Sequence, residues 1–249
     1  MVEIGILFQL LKAKDMTLQN KKIVIAGGTS GIGLSAALMF QQQGAIVTVT
    51  GRDIAKLNAA AAEGLLTAEV DSSNIETLQT FFQSLGKIDH LIIALGSNKG
   101  LGNFIDLYLD DLRKGFDEKY WSHLNTLKAA IPFVNLNGSI TLITAITASA
   151  KFAGTSGIGS INGALEIMVP IIAKEIKPIR INAVSPGVVD TPWWDFMPQE
   201  VKQQTFEGYA SQITVGRIAK PEDVADAILF LAKNDYMTGK IIACDGGLF

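Results

Sequence analysis

The sequence has few of the residues that build disulfide frameworks and metal centres. Its 249 residues include one cysteine, Cys244, and two histidines, His90 and His123. A single cysteine forms no internal disulfide, and the two histidines lie too far apart in sequence for a local metal motif. We therefore expect neither a disulfide-stabilised secreted domain nor a metal site.

Charged residues are also scarce. Asp, Glu, Lys and Arg make up 18% of the chain, the formal net charge is −3, and the sequence has no basic cluster. This balance argues against nucleic acid as the main ligand. Hydrophobic residues make up 48% of the chain, which excludes disorder as a description of the whole and favours a large buried core.

The N-terminal segment lacks the length of a membrane span. Residues 4–11 are apolar, but a span needs about 20 such residues. The segment also lacks a basic n-region and a small-residue cleavage site, which argues against a signal peptide. We predict that residues 1–16 form an arm docked on their own fold or on a neighbouring subunit, with a membrane-surface anchor as the alternative. No membrane span and a cytoplasmic location are expected.

Short β-branched runs alternate with segments of helical period from residue 22 onwards. The runs are Lys22–Ala26, Val47–Thr50, Leu91–Leu95, Ile140–Ile143, Ile179–Val184 and Lys240–Cys244. The helical segments include Ser35–Gln43, Ile75–Leu85, Lys119–Phe133 and Asp223–Leu231. This alternation is typical of βαβ units, whose parallel sheet is covered by helices on both faces. We predict one doubly wound α/β domain of Rossmann type over residues 17–249.

The first predicted strand runs directly into a glycine-rich turn, Gly27–Gly33. Glycine is needed where φ is positive or where a phosphate approaches the backbone. The helix that follows offers free N–H groups and a partial positive charge to a pyrophosphate. No Gly-Lys-Ser/Thr ending follows, which excludes a nucleoside-triphosphate P-loop. The position after the first strand of a βαβ series favours a dinucleotide site, and an ordinary glycine-rich turn is the alternative.

On these residues the chain resembles the short-chain dehydrogenase/reductase family from about residue 17 to its end. The family's opening motif, T-G-x-x-x-G-x-G, reads here as Ala26–Gly33, with alanine in place of threonine. Val184–Thr191 resembles the family's loop after strand six, which embraces the nicotinamide, and Asp245–Gly247 matches its tail. The resemblance implies cofactor contacts from Gly27, Thr29, Ser30, Gly31, Ile32, Gly33, Gly96, Asn162, Pro186, Gly187, Val189 and Thr191.

The end of the second predicted strand indicates which dinucleotide is bound. A fold of this kind that takes NAD places a carboxylate there, whereas this chain has Gly51 followed by Arg52. A guanidinium suits the 2′-phosphate of NADP(H), so NADP(H) is the predicted cofactor. The alternative is that Arg52 is a solvated residue at a helix start. Asp71 resembles the family's aspartate that binds the adenine amino group, with Ser72 beside it, and the same segment also fits a helix N-cap.

The resemblance also implies four catalytic positions, and this chain has other residues at all of them. The strand-five motif places Ala145 at the serine position, and the usual spacing then places Ile158 at the tyrosine and Asn162 at the lysine. Counting back from Lys128 in the preceding helix places Lys119 at the asparagine. Ile158 donates no proton, so the catalytic residues stay unassigned at this point.

A lysine and an asparagine nevertheless occur at two of these four positions, each at the position that the family gives to the other. We expect Lys119 to reach the position of the family's ammonium and Asn162 to hydrogen-bond the cofactor ribose. The alternative is a lysine exposed on its helix and a capping asparagine. Thr147 shares a strand face with Ala145 if the strand continues. Other nearby side chains are Tyr120, Ser156 and Ser160, which we expect to be ordinary loop or helix residues, and His123, which we expect to pack inside.

Aromatic residues follow the nicotinamide loop. They are Trp193, Trp194, Phe196, Phe206 and Tyr209, together with Met197. The resemblance implies that residues 190–215 form a lid over the substrate, as the corresponding segment does in the family. An apolar lid fits a hydrophobic carbonyl or alcohol, although the tryptophans also fit a role in pinning the lid to the core. Helices at 119–133 and 161–176 carry apolar faces that pair between subunits in the family, which implies a homodimer or homotetramer.

Two functions therefore remain open. The first is an NADP(H)-dependent oxidoreductase with a nonstandard active site that acts on a small apolar substrate. The second is a catalytically inactive, NADP(H)-binding regulator or scaffold. The nicotinamide loop favours the first, and the four substituted positions favour the second.

Overall fold

A computed structural model describes residues 18–249 of the chain, so the predicted arm over residues 1–16 lies outside the described residues. Seven strands form one sheet. They are β1 (Lys22–Ala26), β2 (Ile46–Gly51), β3 (Leu66–Glu69), β4 (Ile88–Ile93), β5 (Val134–Ile143), β6 (Arg180–Pro186) and β7 (Ile241–Cys244).

Helices connect these strands. The α-helices are α1 (Gly31–Gln42), α2 (Ile54–Ala62), α3 (Ile75–Leu85), α4 (Leu109–Gly115), α5 (Ser122–Ala130), α6 (Thr147–Ala150), α7 (Ser156–Glu175), α8 (Gln199–Ala210) and α9 (Pro221–Lys233). A π-helical turn, Phe116–Trp121, joins α4 to α5, and short 3₁₀ turns span Ile131–Phe133 and Pro192–Trp194.

The sheet has the order β3-β2-β1-β4-β5-β6-β7, and all its strands are parallel. The chain moves outward from β1 to β3 on one side and then returns to place β4 on the other side of β1. The strand order therefore reverses between β1 and β4, and in sheets of this kind ligands bind at the carboxyl ends of the strands beside such a reversal. The predicted doubly wound Rossmann-type fold is confirmed.

Two hydrophobic clusters hold the layers together, one on each face of the sheet. On one face, α1 packs beside α9, and the cluster there contains Phe40, Val224 and Leu231. On the other face, α3 and α5 bury Phe82 and Leu127. Central strands that are buried on both sides read as continuous apolar runs, which explains why β1 and β4 are visible in the sequence.

The structure corrects the predicted elements in two places. The edge strand β3 does not appear among the predicted strands because its exposure pattern leaves no buried run to recognise. The single helix predicted over residues 119–133 is instead a π turn followed by α5 and a 3₁₀ turn. A π turn holds an extra residue, so it changes which side chains of this segment face the sheet.

One helix in the described part, α7, is long and apolar enough by length and composition to cross a membrane. Its buried side chains, among them Val169 and Ile172, pack with strand residues in the core cluster that also contains Phe82. This packing buries one side of the helix, while Ile167 and Ile171 stay exposed.

Candidate functional site

A cleft of about 680 Å³ opens at the carboxyl ends of the central strands. Its walls come from the turn after β1, from the segments that follow β4, β5 and β6, and from the start of α7. A smaller cleft of about 240 Å³ lies beyond the ends of β2 and β3. The two share Gly27, Leu95, Gly96 and Glu118, so they adjoin one another across the strand reversal.

The glycine turn lines the larger cleft, and its shape requires residues without a side chain. Gly27 has a φ of +78°, in the left-handed region that glycine adopts readily. A Cβ on Gly33 would lie 2.2 Å from Gly27 O, so only glycine lets α1 start this close to the turn. Ser30, Gly31 and Ile32 complete this part of the lining. Thr29 does not line either cleft and lies over Gly51 instead.

The smaller cleft contains the residue predicted to bind the 2′-phosphate and the two predicted to lie at the adenine. Arg52, Asp71 and Ser72 all line it. Arg52 is exposed and follows β2 directly, while Asp53, not Arg52, caps α2. The pKa of Asp71 is lowered, mainly because its carboxylate accepts from the Ser73 backbone N–H at 2.9 Å, with a smaller contribution from the charge of Arg52.

The alternative role of Asp71 as a helix N-cap is wrong. The side chain of Asn74 caps α3 by accepting from the Thr77 N–H at 3.0 Å. Asp71 instead closes a short turn with Ser73 before that helix begins. Its position at the edge of the smaller cleft is compatible with contact to a ligand.

The loop after β6 forms the opposite wall of the larger cleft. Pro186, Gly187, Val189 and Thr191 all line it, as does Gly96 after β4. A Cβ on Gly187 would lie 2.8 Å from the Cα of Asp245. Glycine is therefore required here because the C-terminal segment packs directly against the loop.

The four residues predicted to occupy the family's catalytic positions meet in this cleft. Lys119, Ala145, Ile158 and Asn162 come from the π turn, the end of β5 and α7, and all four line the wall. Three segments far apart in sequence thus converge on one site. The alternative of a lysine exposed on its helix is wrong, because Lys119 is only 9% exposed.

Aromatic side chains of the segment at 190–215 close the cleft from outside. The Trp193 ring meets Trp194 and Phe196 with centroids 4.8 and 5.3 Å apart, in edge-to-face contacts. Trp193 Nε1 donates to Ser97 O at 2.9 Å, which ties this segment to the loop after β4. The tryptophans therefore both line the cleft and pin the segment to the fold.

Comparison with known proteins places this chain in a family. The family model described as Enoyl-(Acyl carrier protein) reductase matches residues 26–249. The 3-oxoacyl-[acyl-carrier-protein] reductase FabG of Thermotoga maritima is 31% identical, over 94% of this chain and 99% of the relative. The chain belongs to the short-chain dehydrogenase/reductase family.

Solved structures of short-chain dehydrogenases agree with this membership. A crystal structure of a small-chain dehydrogenase in complex with NADPH has 30% sequence identity and a TM-score of 0.82, over 92% of this chain and 99% of that one. A short-chain dehydrogenase/reductase of Brucella melitensis, described as a glucose/ribitol dehydrogenase, has 25% identity and a TM-score of 0.85, over 94% and 99%. The chain is an oxidoreductase by family.

In this short-chain dehydrogenase/reductase, the lysine of the π turn is held by the end of β5. Lys119 Nζ donates to Thr144 O at 3.2 Å. Burial lowers the pKa of Lys119 to about 8, and the negative charge of Glu166 opposes part of that shift. The ammonium is thus less stable in the cleft wall than it would be in water.

Sequence reasoning missed Glu166, which lies one helical turn after Asn162 on α7. Its Oε1 accepts from Thr144 Oγ1 and from Ser185 Oγ, both at 2.7 Å. The carboxylate therefore links α7 to the ends of β5 and β6. The signal that was available is that Glu166 is the one charged residue among residues 156–173 of α7, since charged groups are rarely placed in an apolar segment without partners.

His123 lies beneath Lys119 in the interior. Its Nδ1 is 2.8 Å from Lys119 O, and the residue is 1% exposed. Burial, followed by the charge of Lys119, lowers the pKa of His123 to about 3. The imidazole is therefore neutral at physiological pH, and its contact supports the π turn that carries Lys119.

Asn162 and Thr147 form the floor of the site. Asn162 Nδ2 donates to Thr147 Oγ1 at 3.1 Å and to Ile158 O at 2.9 Å. Asn162 Oδ1 is buried and has no hydrogen-bond partner among the described residues. Thr147 does not share a strand face with Ala145, because β5 ends at Ile143 and Thr147 starts α6. Tyr120, Ser156 and Ser160 are not among the lining residues of the cleft.

Proposed function

We propose that this chain is an NADP(H)-dependent reductase of small apolar carbonyl compounds, a divergent family member that works without the usual serine and tyrosine. One observation carries the proposal: the four substituted positions line the same cleft as the glycine turn and the loop after β6. NADP(H), when bound, supplies the hydride of the reduction. The substituted residues are therefore positioned at a site suited to chemistry.

The residues present fit NADP(H). A Cβ on Gly33 would collide with Gly27 O, so glycine lets α1 start directly at the turn that lines the cleft. The start of a helix presents N–H groups that suit a pyrophosphate. Arg52 would bind the 2′-phosphate, with Asp71 and Ser72 at the adenine. Thr29 would act through its contact with Gly51, since it does not line either cleft.

Asn162 suits the nicotinamide ribose. Its buried Oδ1 has no hydrogen-bond partner among residues 18–249, and leaving a buried acceptor unsatisfied costs about 1–3 kcal/mol. A ribose hydroxyl would supply the missing donor. Lys119 lies in the same wall with N–H donors to spare, so the two residues together would hold the cofactor.

The substrate side of the cleft is apolar. Trp193, Trp194, Phe196 and Met197 line it, together with Phe152 before α7. Apolar pocket walls with a few polar groups select for hydrophobic ligands. The chain would accordingly prefer ketones or aldehydes with hydrocarbon or aromatic substituents over charged keto acids.

Exposed apolar side chains on α7 support a homodimer or homotetramer. Ile167 and Ile171 are 68% and 52% exposed, and their spacing of four residues places them on one face of the helix. Size-exclusion chromatography with light scattering would test this assembly. A monomer at micromolar concentration would contradict it.

The deciding experiment for the function has two steps. Fluorescence titration should show tighter binding of NADPH than of NADH. NADPH oxidation should then be followed with a panel of apolar ketones and aldehydes, using charged keto acids as the matched controls. Tight NADPH binding without oxidation by any carbonyl compound would overturn the reductase proposal and favour a nucleotide-binding regulator.

A further inference from the structure

Lys119 is a buried cation without an ion pair. Among residues 18–249 no carboxylate lies within salt-bridge distance of its Nζ. The nearby Glu166 carboxylate already accepts from Thr144 and Ser185. Burying an unpaired ammonium costs free energy, so stability does not explain a lysine at this position.

Most of the hydrogen-bonding capacity of Lys119 is unused. An ammonium has three N–H donors, and in the described part of the chain only Thr144 O receives one from Nζ. The other donors are available to an acceptor that enters the cleft. Lys119 shares this wall with Ala145 and Ile158, whose side chains have no polar atom.

The other polar groups near Lys119 are poorly suited to give up a proton. The Asn162 amide does not ionise, and its N–H groups already donate to Thr147 and Ile158 O. Tyr209 also lines the cleft, but it lies on α8, where its ring faces Phe152 with centroids 6.5 Å apart. Lys119 is the group that combines burial, free N–H donors and a place in the inner wall.

Resting on the reductase function proposed above, we propose that Lys119 is the catalytic proton donor of this chain and protonates the carbonyl oxygen of the substrate. The Nζ–H bond breaks as the new O–H bond forms, and the N–H electron pair stays on nitrogen. The hydride for the carbonyl carbon comes from the reduced nicotinamide cofactor. Lys119 is left as a neutral amine and regains its proton from water.

The charges around Lys119 suit this role. Burial brings the pKa of its ammonium to about 8, and a proton donor works best when its pKa is near the working pH. Glu166, on α7, favours the protonated form, while His123, on α5, is neutral. The other ionisable residues that line the cleft are Lys56, Glu118 and Tyr209, and Glu118 accepts from Ser97 Oγ at 2.7 Å.

The first experiment compares Lys119→Arg with Lys119→Met. Arginine keeps the charge and the N–H donors but does not release its proton in proteins. If Lys119 is the proton donor, both variants lose carbonyl reduction by about 10²–10⁴-fold, while Lys119→Arg keeps NADPH affinity in fluorescence titration. Wild-type turnover in Lys119→Arg would overturn the proposal and leave Lys119 as a cofactor anchor. Lys128→Met, on the exposed side of α5, is the control and should keep wild-type turnover.

The second experiment changes the acidity of the amine without removing it. Lys119→Cys in a Cys244→Ala background, alkylated with 2-bromoethylamine in urea and refolded, carries a lysine analogue whose sulfur lowers the pKa of the amine. The rate of the wild type should fall as the pH rises through about 8. This fall should move to lower pH in the alkylated protein, and also in Glu166→Gln, which removes the stabilising charge. A pH profile that moves in neither protein would overturn the proposal.

The third measurement needs neither cofactor nor substrate. In protein labelled with ¹³C-lysine, the side-chain resonance that disappears in Lys119→Met identifies Lys119, and its pH titration should have a midpoint near 8. A midpoint at the ordinary value of 10.5 would overturn the proposal. A wild type that reduces no carbonyl compound would instead refute the proposed function, and this inference with it. An active wild type with unaffected variants would refute this inference alone.

Discussion

Lys119→Met should change how the stability of the fold depends on pH. The unfolded chain keeps the Lys119 proton up to a pKa of 10.5, whereas burial lowers the folded pKa to about 8. Between these values the unfolded state binds more protons, so the free energy of unfolding of the wild type rises with pH. The destabilisation caused by Lys119 is therefore fully present below pH 8 and is relieved as the pH approaches 10.5.

The size of the effect follows from the two pKa values. One pKa unit corresponds to about 1.4 kcal/mol, so a fall from 10.5 to about 8 corresponds to roughly 3 kcal/mol of unfolding free energy. Methionine has a similar length and no charge to desolvate. It also lacks the bond to Thr144 O, which costs the variant about 1 kcal/mol independently of pH. The pH dependence, and not the absolute difference, therefore carries the test.

Urea unfolding of both proteins near neutral pH and near pH 10 would measure this. The wild type should gain about 2–3 kcal/mol relative to Lys119→Met between the two conditions. Lys128→Met is the matched control, because Lys128 is exposed on the neighbouring helix α5. The difference in unfolding free energy between the wild type and Lys128→Met should stay nearly the same at both pH values. A difference between wild type and Lys119→Met that is the same at both pH values would refute the reasoning.

Three further predictions concern ligand binding. Arg52→Ala should weaken the binding of NADPH about tenfold to a hundredfold in fluorescence titration and leave the binding of NADH unchanged, because a charge-assisted hydrogen bond contributes roughly 1.5–3 kcal/mol. Equal losses of affinity for both cofactors would contradict the 2′-phosphate role. Gly33→Ala should abolish NADPH binding, since its Cβ would lie 2.2 Å from Gly27 O, and calorimetric binding at wild-type affinity would contradict this. Trp193→Ala should raise KM for apolar carbonyl compounds more than it lowers kcat, because it removes a lid wall and the bond to Ser97 O; an unchanged KM in steady-state kinetics would argue against substrate contact.

The sequence by itself determined the fold, the family and the dinucleotide cofactor. Buried parallel strands such as β1 and β4 contain continuous apolar runs. The glycines of the turn at 27–33 must be glycine for local reasons of φ and close approach. These are short-range constraints, which pattern and spacing express directly. The short edge strand β3 escaped because an exposed strand carries little hydrophobic signal.

Only the tertiary structure decided the environment of the four residues at the predicted catalytic positions. The π turn at Phe116–Trp121 depends on hydrogen-bond register, which hydrophobic period does not reveal. Sequence alone allowed Lys119 either on the surface or in the cleft, and the structure buries it against Thr144 O. The influence of Glu166 on Lys119 likewise arises from the packing of α7 against the ends of β5 and β6. A side chain's pKa depends on what surrounds it in space, so this part of the chemistry appears only when the distant segments are brought together.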